Sequence, residues 1–125
     1  MIITVVGDVH VIRSEPFSVF RHVAPVLQQA DITLGNQETL ICDQGQPIMG
    51  KVEVGSAHLR SVPGTAEALR RAGFMAMGVA SNHSLDYGPE GLVQCLHLLD
   101  EAGICHAGAG RDLGEAHKPA MIKRA

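Results

Sequence analysis

The sequence predicts an α/β fold in which helices cover a mostly parallel sheet. Short apolar segments rich in β-branched residues alternate along the chain with segments whose apolar residues recur at helical spacing. Strands and helices in alternation form right-handed crossover units, and these units build a parallel sheet. The 125 residues fit one domain over positions 1–125, and 46% hydrophobic with 18% charged residues is typical of a globular protein.

The first part of the chain contains two predicted strands with a helical segment between them. Residues 2–7 are apolar and mostly β-branched, which predicts a parallel strand that is buried on both faces. Residues 16–29 have a helical pattern, although Pro25 must kink this helix or begin a second short one. Residues 31–35 are predicted to form the second strand.

The middle of the chain combines an irregular segment with a helix and a third strand. Residues 39–62 are predicted to be irregular apart from a short hairpin arm at residues 51–54. Residues 63–72 have the apolar spacing of a helix, and Gly73 suits the left-handed position that ends it. The apolar run at residues 74–80 predicts the third strand.

The last part of the chain begins with the clearest helical pattern. Residues 89–102 carry an apolar stripe at helical spacing, and Gly103 is predicted to cap this helix. A short strand at residues 104–107 and a helical turn at residues 111–117 follow, and residues 119–122 are predicted to begin a fifth strand. A strand that begins there predicts that the chain is the N-terminal half of a larger layered domain. The alternative is a short edge strand that closes a small domain.

Composition and charge argue against several classes of protein. A net charge of −3 gives no basic footprint for nucleic acid, and aromatic residues make up only 3% of the chain, without tryptophan. No apolar run approaches the roughly 20 residues of a membrane span, and no charged leader with a cleavage site follows Met1. Three cysteines without close pairing indicate free thiols, so a reducing, cytoplasmic location is predicted.

Polar side chains follow the first two predicted strands at their carboxyl ends. Asp8 and His10 point the same way in an extended segment, because side chains alternate along a strand. Asn36 and Glu38 share a face in the same manner just past the second strand. Carboxylate and imidazole groups on one side suit a divalent transition metal. Each pair taken by itself would equally fit a polar turn.

A third polar segment follows the third predicted strand. It places Asn82, His83 and Asp86 in one loop ahead of the next helix. A histidine whose second nitrogen is held by a carboxylate has a fixed tautomer, as expected of a metal ligand or an acid–base group. The alternative is that Asn82 or Asp86 merely caps the helix. Because the carboxyl ends of parallel strands meet at the edge where ligands bind, the three segments together predict a metal site.

Four segments run in order over nearly the whole chain: Gly7-Asp8-Val9, Asn36-Gln37-Glu38-Thr39-Leu40, Ala80-Ser81-Asn82-His83-Ser84-Leu85-Asp86-Tyr87-Gly88, and residues 91–110. Together they resemble the capsule synthesis protein CapA family, which is associated with poly-γ-glutamate biosynthesis and belongs to the calcineurin-like metallophosphoesterase superfamily. The resemblance implies a layered α/β/β/α sandwich, of which this chain would supply about the first half.

The resemblance also implies metal ligands. Asp8 and His10 match the first metal-binding pair of the superfamily. Glu38 stands at the place of the carboxylate that bridges two metals, and Asn82 would bind the second metal. The implied cofactors are two divalent ions, Mn²⁺, Fe or Zn²⁺, because mixed oxygen and nitrogen ligands do not select sharply among these metals.

The further histidine ligands of the superfamily lie in its second half and have no counterpart within this sequence. The first metal would be held partly, by Asp8, His10 and Glu38, and the second metal would have only Glu38 and Asn82. We therefore expect the 125-residue chain by itself to bind metal weakly and to be nearly inactive.

The resemblance assigns roles to the remaining site residues. His83 would protonate the leaving group or stabilise the transition state, and Asp86 would orient His83. Hydrolysis would proceed by in-line attack of a hydroxide held between metal ions about 3.5–4 Å apart. The same hydroxide can attack a phosphoester or a γ-glutamyl amide. The expected substrate is therefore an anionic polymer or a phosphoester.

Four residues near the predicted site are candidate substrate contacts. Asn36 belongs to the second polar segment, and Lys51 and Arg60 follow that segment in the chain, where a cation can meet an anionic substrate. Arg111 comes after a glycine-rich turn that would form an anion-binding nest. The alternative for Arg111 is a solvated side chain after a simple turn.

Two other functions stay open from the sequence. A 5′-nucleotidase-like phosphoesterase is one, because the nucleotidases of the same superfamily carry a related Asn-His and Asp-Tyr-Gly block. A non-catalytic component that binds or assembles a capsule polymer is the other. The expected protein partner is a second copy of the chain or a C-terminal half.

Overall fold

The computed structural model of the chain describes residues 1–50 and 57–123. The described strands are β1 Ile3–Val9, β2 Ile32–Gln37, β3 Leu40–Ile41, β4 Arg60–Ser61, β5 Ala76–Gly78 and β6 Cys105–Ala107. Four of them form a parallel sheet in the order β1-β2-β5-β6, and β3 and β4 form a separate parallel pair. The predicted α/β class with a mostly parallel sheet is confirmed.

Helices alternate with these strands and pack core side chains against them. They are a 3₁₀ turn at Pro16–Val19, α1 Ala24–Leu27, α2 Thr65–Ala72, α3 Gly88–Glu101 and α4 Leu113–Ala116. The predicted stripe of α3 is buried at all four positions, Leu92, Cys95, Leu96 and Leu99. Gly73 adopts the predicted left-handed conformation, with φ of 112°, and ends α2.

The core begins directly beneath the sheet. Leu69 of α2 and Phe74, which precedes β5, are almost fully buried, and the Phe74 ring meets Phe20 edge-on at 5.8 Å between centroids. Cys95 is buried where α3 packs on β3, and this burial raises the pKa of its thiol to about 12. The three thiols are free, as predicted.

The prediction that the first strand is buried on both faces is wrong. β1 lies at one edge of the described sheet, and the side chains of Ile3 and Val5 are 50% and 70% exposed. The described elements cover only the opposite face, to which Val9 and Val11 contribute core side chains. One face of β1 therefore presents apolar groups to solvent.

Of the two alternatives predicted for Pro25 in the first helical segment, the structure has the second, in which a new short helix begins near this residue. The segment divides into the 3₁₀ turn and α1, and Pro25 occupies the first turn of α1, where its missing N–H costs no hydrogen bond.

Two other predictions are wrong. The irregular segment contains β3 and β4, which pair in parallel. The expected fifth strand at residues 119–122 is not a strand. Pro119 has no N–H to donate, and the backbone oxygen of Met121 lies 3.7 Å from Cys105 Sγ. The hairpin arm predicted at residues 51–54 lies outside the described residues.

Candidate metal centre

The first two polar segments meet at the carboxyl ends of β1 and β2. Asp8 is the register partner of Asn36, after an irregularity in β1 between Val5 and Asp8. The side chains are joined as well, because Asn36 Nδ2 donates a 2.8 Å hydrogen bond to Asp8 Oδ1. The strand order thus brings a carboxylate and an amide from separate segments into direct contact.

Glu38 connects this pair to the loop that follows β5. Its Oε2 accepts a 3.0 Å hydrogen bond from Ser81 Oγ, and Asn36 Nδ2 lies 3.5 Å from the same oxygen. Its Oε1 lies 3.5 Å from His83 Nε2. The half-buried Glu38 carboxylate therefore joins the second and third segments, and Asn36 links both to Asp8 of the first.

His83 and Asp86 form a buried pair behind Glu38. His83 Nδ1 lies 2.7 Å from Asp86 Oδ2, and the side chains are 11% and 0% exposed. The same oxygen accepts a 2.6 Å hydrogen bond from the backbone N–H of Leu59. A carboxylate can only accept, so Nδ1 carries the proton in this pair and Nε2 is the nitrogen turned toward Glu38.

Helix capping by Asp86 is excluded by the geometry. The N-cap position of α3 is Tyr87, and no side chain caps the helix. The Asp86 backbone instead ties a second loop to the site, because Ile48 N donates to Asp86 O at 3.0 Å.

A serine pair shapes the loop and was missed in the sequence. Ser81 Oγ accepts from the backbone N–H of His83 at 3.1 Å, and Ser84 Oγ accepts from the backbone N–H of Ser81 at 2.9 Å. Ser84 Oγ also donates to the backbone oxygen of Val79. The Ser-x-x-Ser spacing is the one available sequence signal, and it is shared with many ordinary turns.

Two predicted ligands lie at the margin of this cluster. His10 is exposed, and within residues 1–50 and 57–123 no hydrogen bond or ion pair joins it to Asp8, Glu38 or His83. Asn82 is exposed in the loop between Ser81 and His83. In the described part of the chain, no three His, Cys, Asp or Glu side chains are grouped closely enough to hold a metal ion. The donor types suit a metal, but the described set is incomplete.

The comparison with protein families decides where the chain belongs. The family model of the bacterial capsule synthesis protein PGA_cap matches residues 2–125. The chain is a member of this family. The capsule biosynthesis protein CapA of Bacillus anthracis is 33% identical over 94 residues, which cover 75% of this chain and 23% of that protein. The PGA biosynthesis protein CapA of Bacillus subtilis (strain 168) is 28% identical over 101 residues, which cover 81% of this chain and 26% of that protein.

A third similar protein is also much longer than this chain. The uncharacterized protein y4sH of Sinorhizobium fredii (strain NBRC 101917 / NGR234) is 40% identical over 110 residues, covering 85% of this chain and 23% of that protein. The chain thus spans about a quarter of the length of the curated relatives it matches. The predicted membership of the CapA family is confirmed.

The candidate substrate cations of this PGA_cap chain have different surroundings. The Arg60 guanidinium lies 4.6 Å from the centre of the Tyr87 ring, next to Asp86 in sequence. Arg111 is instead paired with Glu115, with Arg111 NH2 3.0 Å from Oε1 and both Nε and the backbone N–H bonded to Oε2. These bonds raise the pKa of Arg111 and lower the pKa of Glu115. Lys51 lies outside the described residues.

One finding concerns membranes. Within the described ranges of this PGA_cap chain, none of the helices has the length and apolar character needed to cross a bilayer.

Proposed function

We propose that this PGA_cap chain carries part of the active centre of a metal-dependent hydrolase that acts on an anionic polymer or a phosphoester in capsule biosynthesis. The observation that supports the proposal is the connected series of Asp8, Asn36, Glu38, His83 and Asp86 at one sheet edge. A buried histidine between two carboxylates has a defined tautomer and direction, which is what acid–base chemistry requires.

Asp8 and Glu38 are the groups that would hold metal, with His10 and Asn82 as additional ligands. Carboxylate, amide and imidazole donors suit Mn²⁺, Fe or Zn²⁺. Such ions, when bound, polarise a phosphoryl or carbonyl oxygen and lower the pKa of a coordinated water. The donor chemistry fits these ions, and two ions per site would require more ligands than the described residues supply.

The protein's own residues have separable roles in this proposal. In the doubly protonated form, His83 delivers the Nε2 proton to the leaving group and becomes neutral, while Asp86 keeps the Nδ1–H bonded so that Nε2 stays turned to the site. Burial of this pair keeps bulk water from competing for the hydrogen bond between them. Arg60, held over the Tyr87 ring, offers a cation to an anionic substrate, and Asn36 fixes the Asp8 carboxylate.

A non-catalytic role in binding or assembling a capsule polymer is the second candidate. The observation that favours it is the Arg60 guanidinium, held 4.6 Å from the centre of the Tyr87 ring, which offers a cation to an anionic polymer. In that case the same edge would bind an anionic polymer through Arg60 without turning it over.

Metal binding by the purified chain tests the proposed ligands. We expect weak Mn²⁺ binding by titration calorimetry, which Asp8→Asn abolishes while the circular dichroism spectrum is retained. His97→Gln is the matched control, because His97 is exposed and pairs with Glu101 outside the site. If Asp8→Asn and His97→Gln bind Mn²⁺ equally, the assignment of Asp8 is wrong.

The substrate class is tested with the natural protein as the cell expresses it. Hydrolysis of p-nitrophenyl phosphate, a nucleoside 5′-monophosphate and γ-glutamyl p-nitroanilide separates phosphoesterase, nucleotidase and amidase activity. We expect Asp8→Asn to remove whichever activity is present. Absence of all three activities, together with retained binding of poly-γ-glutamate, would favour the non-catalytic candidate.

A further inference from the structure

Ser81 contacts two functional groups with a single hydroxyl. Its Oγ donates to Glu38 Oε2 at 3.0 Å and accepts from the backbone N–H of His83 at 3.1 Å. A serine hydroxyl has one proton and two lone pairs, so both hydrogen bonds can exist at once. The hydroxyl therefore links a carboxylate that follows β2 to the histidine that follows β5.

This hydrogen bond is the closest described contact of the Glu38 carboxylate. Asn36 Nδ2 and His83 Nε2 each lie 3.5 Å from a Glu38 oxygen, beyond the usual length of an N–H···O hydrogen bond. The bond from Ser81 therefore determines how the carboxylate is turned. With Oε2 held by Ser81, Oε1 is the oxygen that faces His83.

The position of Ser81 is itself fixed by the loop. Its backbone N–H donates to Ser84 Oγ. Ser84 Oγ in turn donates to the backbone oxygen of Val79, which directly follows β5. Val79 N in turn donates to Ala107 O of β6 at 2.8 Å. The hydroxyl is thus anchored to the sheet rather than to a free loop.

We propose that Ser81 is a positioning residue that orients the Glu38 carboxylate toward a bound metal and sets its distance from His83. The proposal rests on the proposed function, because it takes Glu38 to be a metal ligand. Groups that hydrogen-bond a metal ligand from behind typically change metal affinity or activity by about 10–100-fold when removed.

Mn²⁺ affinity of four variants tests this role. We expect Ser81→Ala to weaken Mn²⁺ binding roughly 10-fold or more, and Ser81→Thr, which keeps the hydroxyl, to restore most of the loss. Ser18→Ala is the matched control, because it removes a serine hydroxyl that bonds only Glu15 O outside the site. Ser81→Cys, close in size but a weak donor, replaces Ser81→Ala if the alanine variant does not fold.

The outcomes separate the positioning role from the proposed function. Equal losses in Ser81→Ala and Ser18→Ala, or full affinity in Ser81→Ala, would overturn the role of Ser81 while leaving metal binding intact. If the unmodified chain does not bind Mn²⁺, the proposed metal binding is wrong, and the effect of Ser81 on the Glu38 side chain is then tested in the metal-free protein. Side-chain NMR couplings of Glu38 should then report one rotamer in the unmodified chain and averaged rotamers in Ser81→Ala; unchanged couplings would overturn the positioning role.

Discussion

His83 joins two carboxylates of the candidate site. It is buried between two carboxylates that come from different parts of the chain, with Asp86 on Nδ1 and Glu38 facing Nε2. Asp86 is fully buried, and its Oδ2 also accepts from Leu59 N. Because buried charges are costly unless they are hydrogen-bonded, Asp86 must keep these partners for the loop to stay folded.

Asp86→Asn tests this dependence. The amide oxygen can still accept from Leu59 N and His83 Nδ1, but without the charge that strengthens both bonds. We expect a loss of about 1–3 kcal/mol in the free energy of unfolding and a lower rate of any hydrolysis that the natural protein shows. Urea denaturation and the substrate assays measure the two effects.

The control for Asp86→Asn is a second Asp–His pair on the surface. Asp100, 69% exposed, lies 3.1 Å from His106 Nε2. Its replacement by asparagine should change stability by less than about 0.5 kcal/mol. Equal losses at the two positions would mean that burial of Asp86 contributes nothing.

The residues at the sheet edge could be predicted from the sequence, but only some of their contacts could. Asp8, Asn36, Glu38 and His83 each follow a predicted strand, and strand order brings them together. Ser81 was missed because a serine in a polar loop is the ordinary composition of a turn. The bond from Leu59 to Asp86 could not be predicted, because it spans 27 positions between irregular segments.

At the scale of elements, β6 supports the loop that presents Ser81 and His83. Gly108 follows β6 with φ of 96°, and a Cβ placed on it would lie 2.8 Å from Ala80 Cβ and 3.1 Å from Ala80 N. Ala80 leads directly into the Ser81 turn. The close approach of these two backbones therefore requires glycine at position 108.

Gly108→Ala should move the loop as well as strain the backbone. Gly103 is the matched control, because its φ is 68° and an added Cβ would meet nothing within 4 Å. We expect Gly103→Ala to cost about 1–2 kcal/mol from the left-handed conformation alone. Gly108→Ala should cost roughly 1–3 kcal/mol more through overpacking and should also weaken Mn²⁺ binding. Equal thermal stability of the two variants would contradict the close packing on Ala80.

The elements that the sequence predicted best are those with a repeated pattern. The stripe of α3 recurs over 14 residues, so its position was predictable within one residue at either end. β3 and β4 have two residues each, which is too short for any alternation to be visible. Their pairing depends on a contact between residues 20 positions apart, Leu40 and Arg60.

At the scale of the whole molecule, the candidate site and an exposed apolar face lie on the same side of the sheet. Ile3 and Val5 of β1 are paired in register with Ile32 and Leu34 of β2. Asn36 shares this face with Leu34, because side chains alternate along β2. A molecule that packs on the apolar face would therefore also border the candidate metal centre.

The exposed face predicts self-association of the 125-residue chain. β1 is an edge strand with apolar side chains in solvent, and Val5 is 70% exposed. Edge strands and contiguous apolar surface of this kind favour association between molecules. Val5→Lys places a charge on this exposed face, so it should raise the dissociation constant measured by sedimentation without lowering thermal stability.

Val26→Lys separates the effect of the face from that of general surface charge. Val26 lies on α1 and is 63% exposed, so its replacement adds the same charge away from the sheet. Association of this variant should match that of the unmodified chain, and neither variant should change the free energy of unfolding by more than about 0.5 kcal/mol. A large destabilisation by Val5→Lys would mean that the face is covered within the chain itself. Equal association of both variants would mean that the molecules associate through another surface.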